Sequence, residues 1–198
     1  MFILYNYIRK DIMNSMKLSK VSNALVLASL LGVGAAMSPP AHAGSAPANL
    51  SVTASVTANC TISTTAVAFG AYDPVVANAS TALNGSGSVT IACTKGSAPN
   101  ITMDLGANAS GSQRKMLVTG GGTDVLDYQL YQPPNTTPNT ACTFPGSTVW
   151  GTSVATTFTP TAPSSKTGRS YNVCGTVAAG QDVSVGSYQD TVVATVNF

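Results

Sequence analysis

The sequence predicts an all-β domain that folds as a sandwich or a barrel, and three observations support this. After Ala43, short runs of alternating apolar and polar residues recur between clusters of Gly, Pro, Asn and Ser. No segment of that region keeps apolar positions at i, i+3, i+4 and i+7 for three helical turns. Glu is absent and Leu and Lys are scarce there, so residues that favour helices are few.

The alternating runs define the predicted strands in order along the chain. Residues 73–87 and 132–145 are interpreted as loops, because proline, glycine and small polar residues dominate them. The strands or short strand pieces are predicted at residues 50–58, 61–63, 66–70, 88–93, 100–106, 114–119, 125–131, 148–151, 156–159, 169–177 and 186–198.

The most regular pattern lies in the last strand, at residues 186–198. One face is apolar except for Asp190, and the other is polar except for Val193. Period-two alternation of β-branched residues is typical of a half-buried strand. No later segment follows to cover this strand, so we expect any further strand beside it to come from elsewhere. The apolar face consists of Tyr188, Val192, Ala194, Val196 and Phe198.

The N-terminal region has the features of a secretory signal peptide. Lys17 and Lys20 precede an apolar run of about 14 residues, and an Ala-His-Ala sequence ending at Ala43 provides a cleavage site. The alternative is a transmembrane anchor, but the run is shorter than the roughly 20 residues that span a bilayer. We therefore expect residues 1–43 to be removed. Met16, with Met13 as the alternative, is the better initiator, which would make 1–15 an artefact of start-site assignment.

The mature composition argues against several functions. Five basic and six acidic residues follow Ala43, a net charge of −1, so no basic patch for nucleic acid remains. Glu is absent and the only histidine lies in the leader, so the usual proton-transfer groups are missing and an enzyme is not expected. Asp124 and Asp127 are interpreted as solubilising carboxylates, and no cofactor or metal is expected. Trp150, Tyr128 and Tyr131 are either core aromatics or a platform for sugars.

Four cysteines follow the predicted signal peptide, an even number that indicates two disulfide bonds. Three pairings are possible. Cys60–Cys93 with Cys142–Cys174 is favoured, because each bond then closes a loop of similar length within one half of the chain. A zinc site is the alternative, but the chain has neither a C-x-x-C motif nor a mature histidine.

The segment before the first cysteine is the second clear strand. A polar start at residues 44–49 precedes a run in which apolar and hydroxyl residues alternate through Ala58. It is either the ordinary first strand of a closed sandwich or a strand free to complete the sheet of a partner. The apolar face of this segment contains Leu50, Val52, Ala54 and Val56.

Three segments of this sequence resemble the spore coat protein U domain family, which includes subunits of Csu-type pili, the archaic branch of chaperone–usher fimbriae. They are VTASVTANCTI at 52–62, SVTIAC at 88–93 and AGQDVSVGSYQDTVVATVNF at 179–198. The last is the most specific, and the resemblance covers residues 49–198. It implies an incomplete immunoglobulin-like sandwich at 59–198, completed by a donor strand from another subunit.

The resemblance also implies roles for both terminal strands. Residues 44–58 would be the donor strand, with Leu50, Val52, Ala54 and Val56 as the inserted face. The acceptor groove would be lined partly by Tyr188, Val192, Ala194, Val196 and Phe198, and the terminal carboxylate of Phe198 would anchor basic residues of a chaperone.

The function implied is that of a structural subunit of a chaperone–usher pilus that serves adhesion and biofilm formation. Its partners would be other subunits, a periplasmic chaperone and an outer-membrane usher, with no membrane span in the mature chain. It would be secreted through the periplasm to a fimbrium at the cell surface. The alternative is a secreted spore-coat or glycan-binding surface protein that does not polymerise.

Overall fold

The computed structural model describes residues 43–198, and all regular elements in that range are β-strands, which confirms the predicted all-β class. The predicted signal peptide lies outside the described residues apart from Ala43. Residues 43–51 contain no strand, and the folded unit comprises Val52–Phe198. Eight strands are present: β1 (Cys60–Thr65), β2 (Leu83–Cys93), β3 (Asn100–Met103), β4 (Arg114–Val118), β5 (Val125–Tyr131), β6 (Arg169–Val177), β7 (Tyr188–Gln189) and β8 (Ala194–Asn197).

The strands form two antiparallel sheets. The large sheet has six strands in the order β1-β2-β6-β5-β4-β7, and the small sheet pairs β3 with β8. Phe158 lies beside the other edge of β3. Its amide donates to the carbonyl of Ile101 at 3.0 Å, and the amide of Ile101 donates to the carbonyl of Phe158 at 2.8 Å. Residues 43–198 contain no helix that could span a membrane.

The core lies where side chains from both sheets meet. In β5, Leu126, Tyr128 and Leu130 are buried and alternate with half-buried residues, as the period-two pattern predicts. The indole N–H of Trp150 donates to the carbonyl of Ile101 at 2.9 Å. The principal core residues are Val89, Ile91, Ile101, Met103, Leu126, Tyr128, Leu130, Trp150, Phe158, Tyr171, Val173 and Val177.

Both disulfide bonds are present in the pairing that the loop lengths favour. Cys60 at the start of β1 is bonded to Cys93 at the end of β2, across directly paired positions of the two strands. Cys142, in the long loop after β5, is bonded to Cys174 in β6. Each bond closes a loop of just over thirty residues, which restricts the unfolded chain and stabilises the fold by about 3–4 kcal/mol on a loop-entropy estimate.

The prediction of a loop through Gly87 is wrong, because β2 begins at Leu83 and pairs with β6 from Leu83 to Ile91. The sequence LNGSG is typical of a turn, but here its glycines allow the chain after β1 to pack closely against β2. A Cβ on Gly87 would lie 2.6 Å from the carbonyl oxygen of Thr65, and one on Gly85 would lie 2.9 Å from that of Ala68. Glycine is therefore needed where the chain after β1 crosses β2.

Several other strand predictions also differ from the structure. Residues 50–58 belong to no sheet among the described residues, although they alternate regularly. Residues 66–70 form no strand, and residues 148–151 and 156–159 contribute only the isolated bridges of Val149 and Phe158. The predicted strand at 186–198 is divided into β7 and β8, which belong to different sheets.

Candidate functional site

A long apolar groove separates two segments of the folded unit. One wall is the chain from Thr64 to Tyr72, and the other is the chain from Val183 to Ala194. Two adjoining cavities of about 610 and 390 Å³ fill the groove between them. They share Val67, Phe69, Met116 and Tyr188 as lining residues. We call this feature the groove.

The floor of the groove is core that no strand among residues 43–198 covers. The larger cavity reaches Leu83, Leu126 and Val177, and the smaller one reaches Val89, Met103, Tyr128, Leu130 and Val173. Among the described residues, no charged side chain lines the larger cavity, and Asp190 is the only one that lines the smaller cavity. The groove therefore suits an apolar side-chain face better than a charged ligand.

Both walls of the groove present backbone without strand partners. Within residues 43–198, the segment from Ala66 to Ala71 makes no backbone–backbone hydrogen bond. In the same range β8 pairs only with β3, so one of its edges is open. Unpaired N–H and C=O groups on both sides of an apolar groove are what an added strand requires.

The C-terminal wall takes its shape from Asp190, where the chain leaves one sheet for the other. The Oδ1 atom of Asp190 accepts hydrogen bonds from the backbone amides of Ala107 and Asn108 at 2.9 and 3.2 Å, and from the Asn108 side chain at 3.0 Å. Its Oδ2 accepts the hydroxyl of Tyr128 at 2.6 Å. This explains the one charged residue on the apolar face, which directs the chain from β7 to β8.

A second carboxylate supports the same bend from β3. The Oδ1 atom of Asp104 accepts the amides of Val193 and Gly106 at 2.9 and 3.0 Å. Gly106 has a φ of +85°, and a Cβ there would overlap the Asp190 carboxylate. The two aspartates, contributed by opposite ends of the chain's second half, thus fix the position of the groove wall.

Arg114 is fully buried beneath this bend and is held by neutral acceptors. Its Nε donates to the carbonyl of Asp104 at 3.1 Å, and an Nη atom donates to the carbonyl of Trp150 at 2.7 Å. The side-chain carbonyl of Gln129 accepts a further bond. Burial lowers the pKa of Arg114 from its ordinary value. The guanidinium ties the start of β4 to the small sheet behind the groove.

The same surroundings strongly raise the pKa of the Tyr128 hydroxyl. Its side chain is 5% exposed, and burial raises the pKa of its hydroxyl far above the ordinary value. The hydrogen bond to Asp190 raises that pKa further, since the proton is shared with a carboxylate. The hydroxyl is consequently a donor over the whole physiological pH range.

The structure places the residues expected to line the groove in three environments. Tyr188, Val192 and Ala194 are half-buried and line the smaller cavity, and Tyr188 lines the larger one too. Val196 packs against the core but lines neither cavity. Phe198 is 54% exposed and also lines neither.

The residues expected to form the donor face lie on the surface. Leu50, Val52 and Val56 are each at least 85% exposed, and Ala54 is also exposed. None of the four lines the groove of its own chain.

Several groove residues were not identified from the sequence. Val67 and Phe69 project into the groove from a segment interpreted only as a short strand piece, and Met116 lies in its floor. Phe69 contacts Tyr128 edge-on with ring centroids 6.1 Å apart. The alternation of Val67 and Phe69 with alanines was the available signal, but it does not reveal which neighbour they face.

The possible sugar platform does not form. Trp150 and Tyr128 are buried, so these two aromatic residues belong to the core. The two carboxylates considered for chemistry have local partners: Asp127 pairs with Lys115 at 2.6 Å, and Asp124 accepts the amide of Ser184 at 2.8 Å. The hydrogen bonds from Ser184 lower the pKa of Asp124.

Comparison with known sequences identifies the family. The Spore Coat Protein U domain matches residues 46–195, most of the chain. The chain belongs to the spore coat protein U family. Protein U of Myxococcus xanthus is 34% identical in an alignment of length 172 that covers 80% of this chain and 88% of that protein. As a member of this family the chain is a structural protein and not an enzyme.

One solved structure has a fold similar to that of this spore coat U chain. One relative is a chain in the CsuC–CsuE chaperone–tip adhesion subunit pre-assembly complex from archaic chaperone–usher Csu pili of Acinetobacter baumannii. It shares 20% identity with a TM-score of 0.50, over 72% of this chain and 40% of its own length. This chain thus spans less than half of that structural relative, and the match supports an incomplete immunoglobulin-like sandwich.

The E. coli Hda pilus minor tip subunit HdaB matches less closely. Its identity is 14% and its TM-score 0.34, over 70% of this chain and 79% of that chain. That score is too low to support a conclusion about the spore coat U chain.

Proposed function

We propose that this chain is a structural subunit of a chaperone–usher pilus and polymerises by strand exchange. The face of Leu50, Val52, Ala54 and Val56 from one copy would fill the groove of the next. One observation carries the proposal: within residues 43–198 the chain has an exposed alternating segment that belongs to no sheet and an apolar groove that no strand fills.

The dimensions of the two features are compatible. From Leu50 to Val56 an extended chain covers about 20 Å, and the wall from Thr64 to Tyr72 covers about 26 Å at 3.3 Å per residue. Covering the groove with four small side chains would bury roughly 300–400 Å² of apolar surface, worth about 8–10 kcal/mol before the costs of ordering. Backbone hydrogen bonds to the open edge of β8 would add to this free energy.

The remaining parts of the proposal follow from the same exposed groove. A subunit with unpaired edges needs protection before assembly, so a periplasmic chaperone would lend a strand and an outer-membrane usher would exchange it for that of another subunit. Residues 1–43 would direct secretion to the periplasm, and the mature chain would reach a fimbrium at the cell surface. Adhesion and biofilm formation are the expected roles of such a fibre.

The first experiment is to heat purified protein stepwise in detergent and separate it without reduction. Strand-exchanged fibres should give a series of bands at multiples of the subunit mass, which collapses to monomer only near boiling. Val56→Asp should abolish the series, because it would bury an unpaired charge in the neighbour's groove. Ser55→Asp is the matched control, since residue 55 lies on the opposite face of the segment and should leave the series intact.

Two results would count against this function. Monomer at every temperature in the unsubstituted protein would favour the alternative, a secreted coat protein that acts without polymerisation, which the family's relation to spore coats suggests. An unchanged series in Val56→Asp would show that the donor face is elsewhere.

A further inference from the structure

The base of the N-terminal segment is fixed to the body of its own subunit by Thr94. The amide of Asn59 donates to the Thr94 hydroxyl oxygen at 3.1 Å, and the amide of Thr94 donates to the Asn59 carbonyl at 2.8 Å. The Thr94 hydroxyl has one proton to donate, and its two acceptors are the carbonyl oxygens of Thr57 at 3.3 Å and of Asn59 at 3.4 Å. These contacts extend the β1–β2 pairing one position beyond the Cys60–Cys93 disulfide.

A side chain is needed at this position because the backbone acceptor is already in use. The carbonyl of Thr94 accepts the amide and the hydroxyl of Ser97, at 3.1 and 2.8 Å, in the turn that follows β2. In a continued sheet that carbonyl would accept the Asn59 amide. The Thr94 hydroxyl takes its place and reaches the Thr57 carbonyl as well, so one side chain binds two residues of the segment's base.

The fixed base determines the direction of the segment. Residues 52–59 contain no turn or bend, and they lead to β1 at the end that carries the disulfide. The groove wall begins only at Thr64, on the other side of that disulfide. To enter its own groove the segment would have to reverse as a hairpin around Ala58 and Asn59. That reversal breaks the Thr94 bonds to both Thr57 and Asn59.

We propose that Thr94 directs strand addition to another copy by disfavouring closure of the donor segment into the groove of its own subunit. This inference depends on the proposed function and adds a specificity-determining residue to it. A strand held within a few residues of a matching groove has a high effective concentration there, so closure within one copy would compete strongly with assembly. The Thr94 contacts oppose that closure without hindering insertion into a neighbour.

The test is to unfold the mature chain with its disulfides intact, refold it over a dilution series and compare monomer with polymer on the unreduced detergent gel. Thr94→Val removes the hydroxyl but keeps the shape of the side chain. We expect the ratio of heat-resistant monomer to polymer to rise roughly tenfold, as the loss of about one net hydrogen bond implies. Closure within one copy does not depend on concentration, so that monomer should persist at every dilution and protect residues 50–56 from proteolysis.

Two further variants control the experiment. Thr94→Ser keeps the hydroxyl and should restore the behaviour of the unsubstituted protein. Thr90→Val makes the same chemical change elsewhere in β2, at a residue whose side chain packs against Gly168, and should also match the unsubstituted protein.

The outcomes separate the two proposals. If the unsubstituted protein polymerises and Thr94→Val behaves like Thr90→Val, the role of Thr94 is overturned and the pilus function stands. If the unsubstituted protein yields only monomer whose N-terminal segment is cleaved readily, strand exchange itself is overturned and the role of Thr94 with it. A protected, concentration-independent monomer in the unsubstituted protein would also overturn the role of Thr94, because the segment would then close despite its bonds.

Discussion

The hydroxyl of Tyr128 in β5 bonds the carboxylate of Asp190, sixty-two residues later, at the point where the C-terminal chain passes between the two sheets. Both residues line the smaller cavity of the groove. The contact therefore links the core of the large sheet to the wall beside which a donor strand would lie.

Replacing Tyr128 with Phe should lower the free energy of unfolding by about 1.5–3 kcal/mol, the usual contribution of a hydrogen bond to a charged group. Chemical denaturation measures this directly. Tyr131→Phe is the matched control in the same strand, where a hydroxyl on a half-buried ring should cost less than about 0.5 kcal/mol. Equal losses in the two variants would contradict the role of the Asp190 contact.

The same tyrosine should make stability fall at alkaline pH. Its pKa is raised in the folded protein, so above its ordinary value of 10.0 the unfolded chain releases a proton that the folded chain retains. Folding stability from this group is complete below pH 10 and is lost as the pH rises beyond it, by up to about 1.4 kcal/mol per pH unit.

Unfolding free energies measured across pH 10–11 should therefore decline less steeply in Tyr128→Phe. Tyr171, whose pKa is also raised by burial, is present in both proteins and cancels in the comparison. Parallel slopes in the two proteins would refute the prediction.

Arg114 should be among the most sensitive positions in the domain. Arg114→Met would leave the buried carbonyls of Asp104 and Trp150 without donors, and we expect a loss of about 3 kcal/mol or more in unfolding free energy. Lys115→Met removes the adjacent charge and its surface pair with Asp127, which should cost no more than about 1 kcal/mol. Denaturant midpoints of the two variants measure the contrast, and similar midpoints would argue against Arg114 as a structural centre.

Adjacent valines in the C-terminal wall offer a test of the groove. Val192 lines the smaller cavity, and Val193 is 56% exposed. Val192→Asp should leave a folded subunit that fails to form the heat-resistant band series, because its charge would face the incoming apolar strand. Val193→Asp should polymerise normally. A normal series from Val192→Asp would exclude this wall from the assembly site.

Most of the large sheet was predictable because its strands carry their own period-two patterns. β4, β5 and β6 lie close to their predicted positions. The start of β2 was not predictable from the sequence. Gly85 and Gly87 are required there because another segment of the chain packs closely over them, and their neighbours in sequence do not reveal that segment. The division of the last strand was hidden for a similar reason: Asp190 marks it, but its four partners lie far away in the chain.

The groove was predictable only in part. The resemblance to the family implied an acceptor groove at the C-terminal strand, and three of the five residues expected there, Tyr188, Val192 and Ala194, line the smaller cavity. The opposite wall depends on how the chain after β1 crosses the sheet, which short alternating pieces such as 66–70 do not specify. The contacts at the base of the N-terminal segment were not predictable either, because nothing in the sequence distinguishes Thr94 from the many other threonines of this chain.

The single tryptophan of this chain is a built-in optical probe of the small sheet. Trp150 is sealed from solvent and bonded through its indole N–H to the carbonyl of Ile101 in β3. Its emission in the native protein should be blue-shifted and insensitive to aqueous quenchers. Loss of the small sheet from the large one would shift that emission to the red before the tyrosines of the large sheet respond, so a fluorescence titration resolves the two layers without any label.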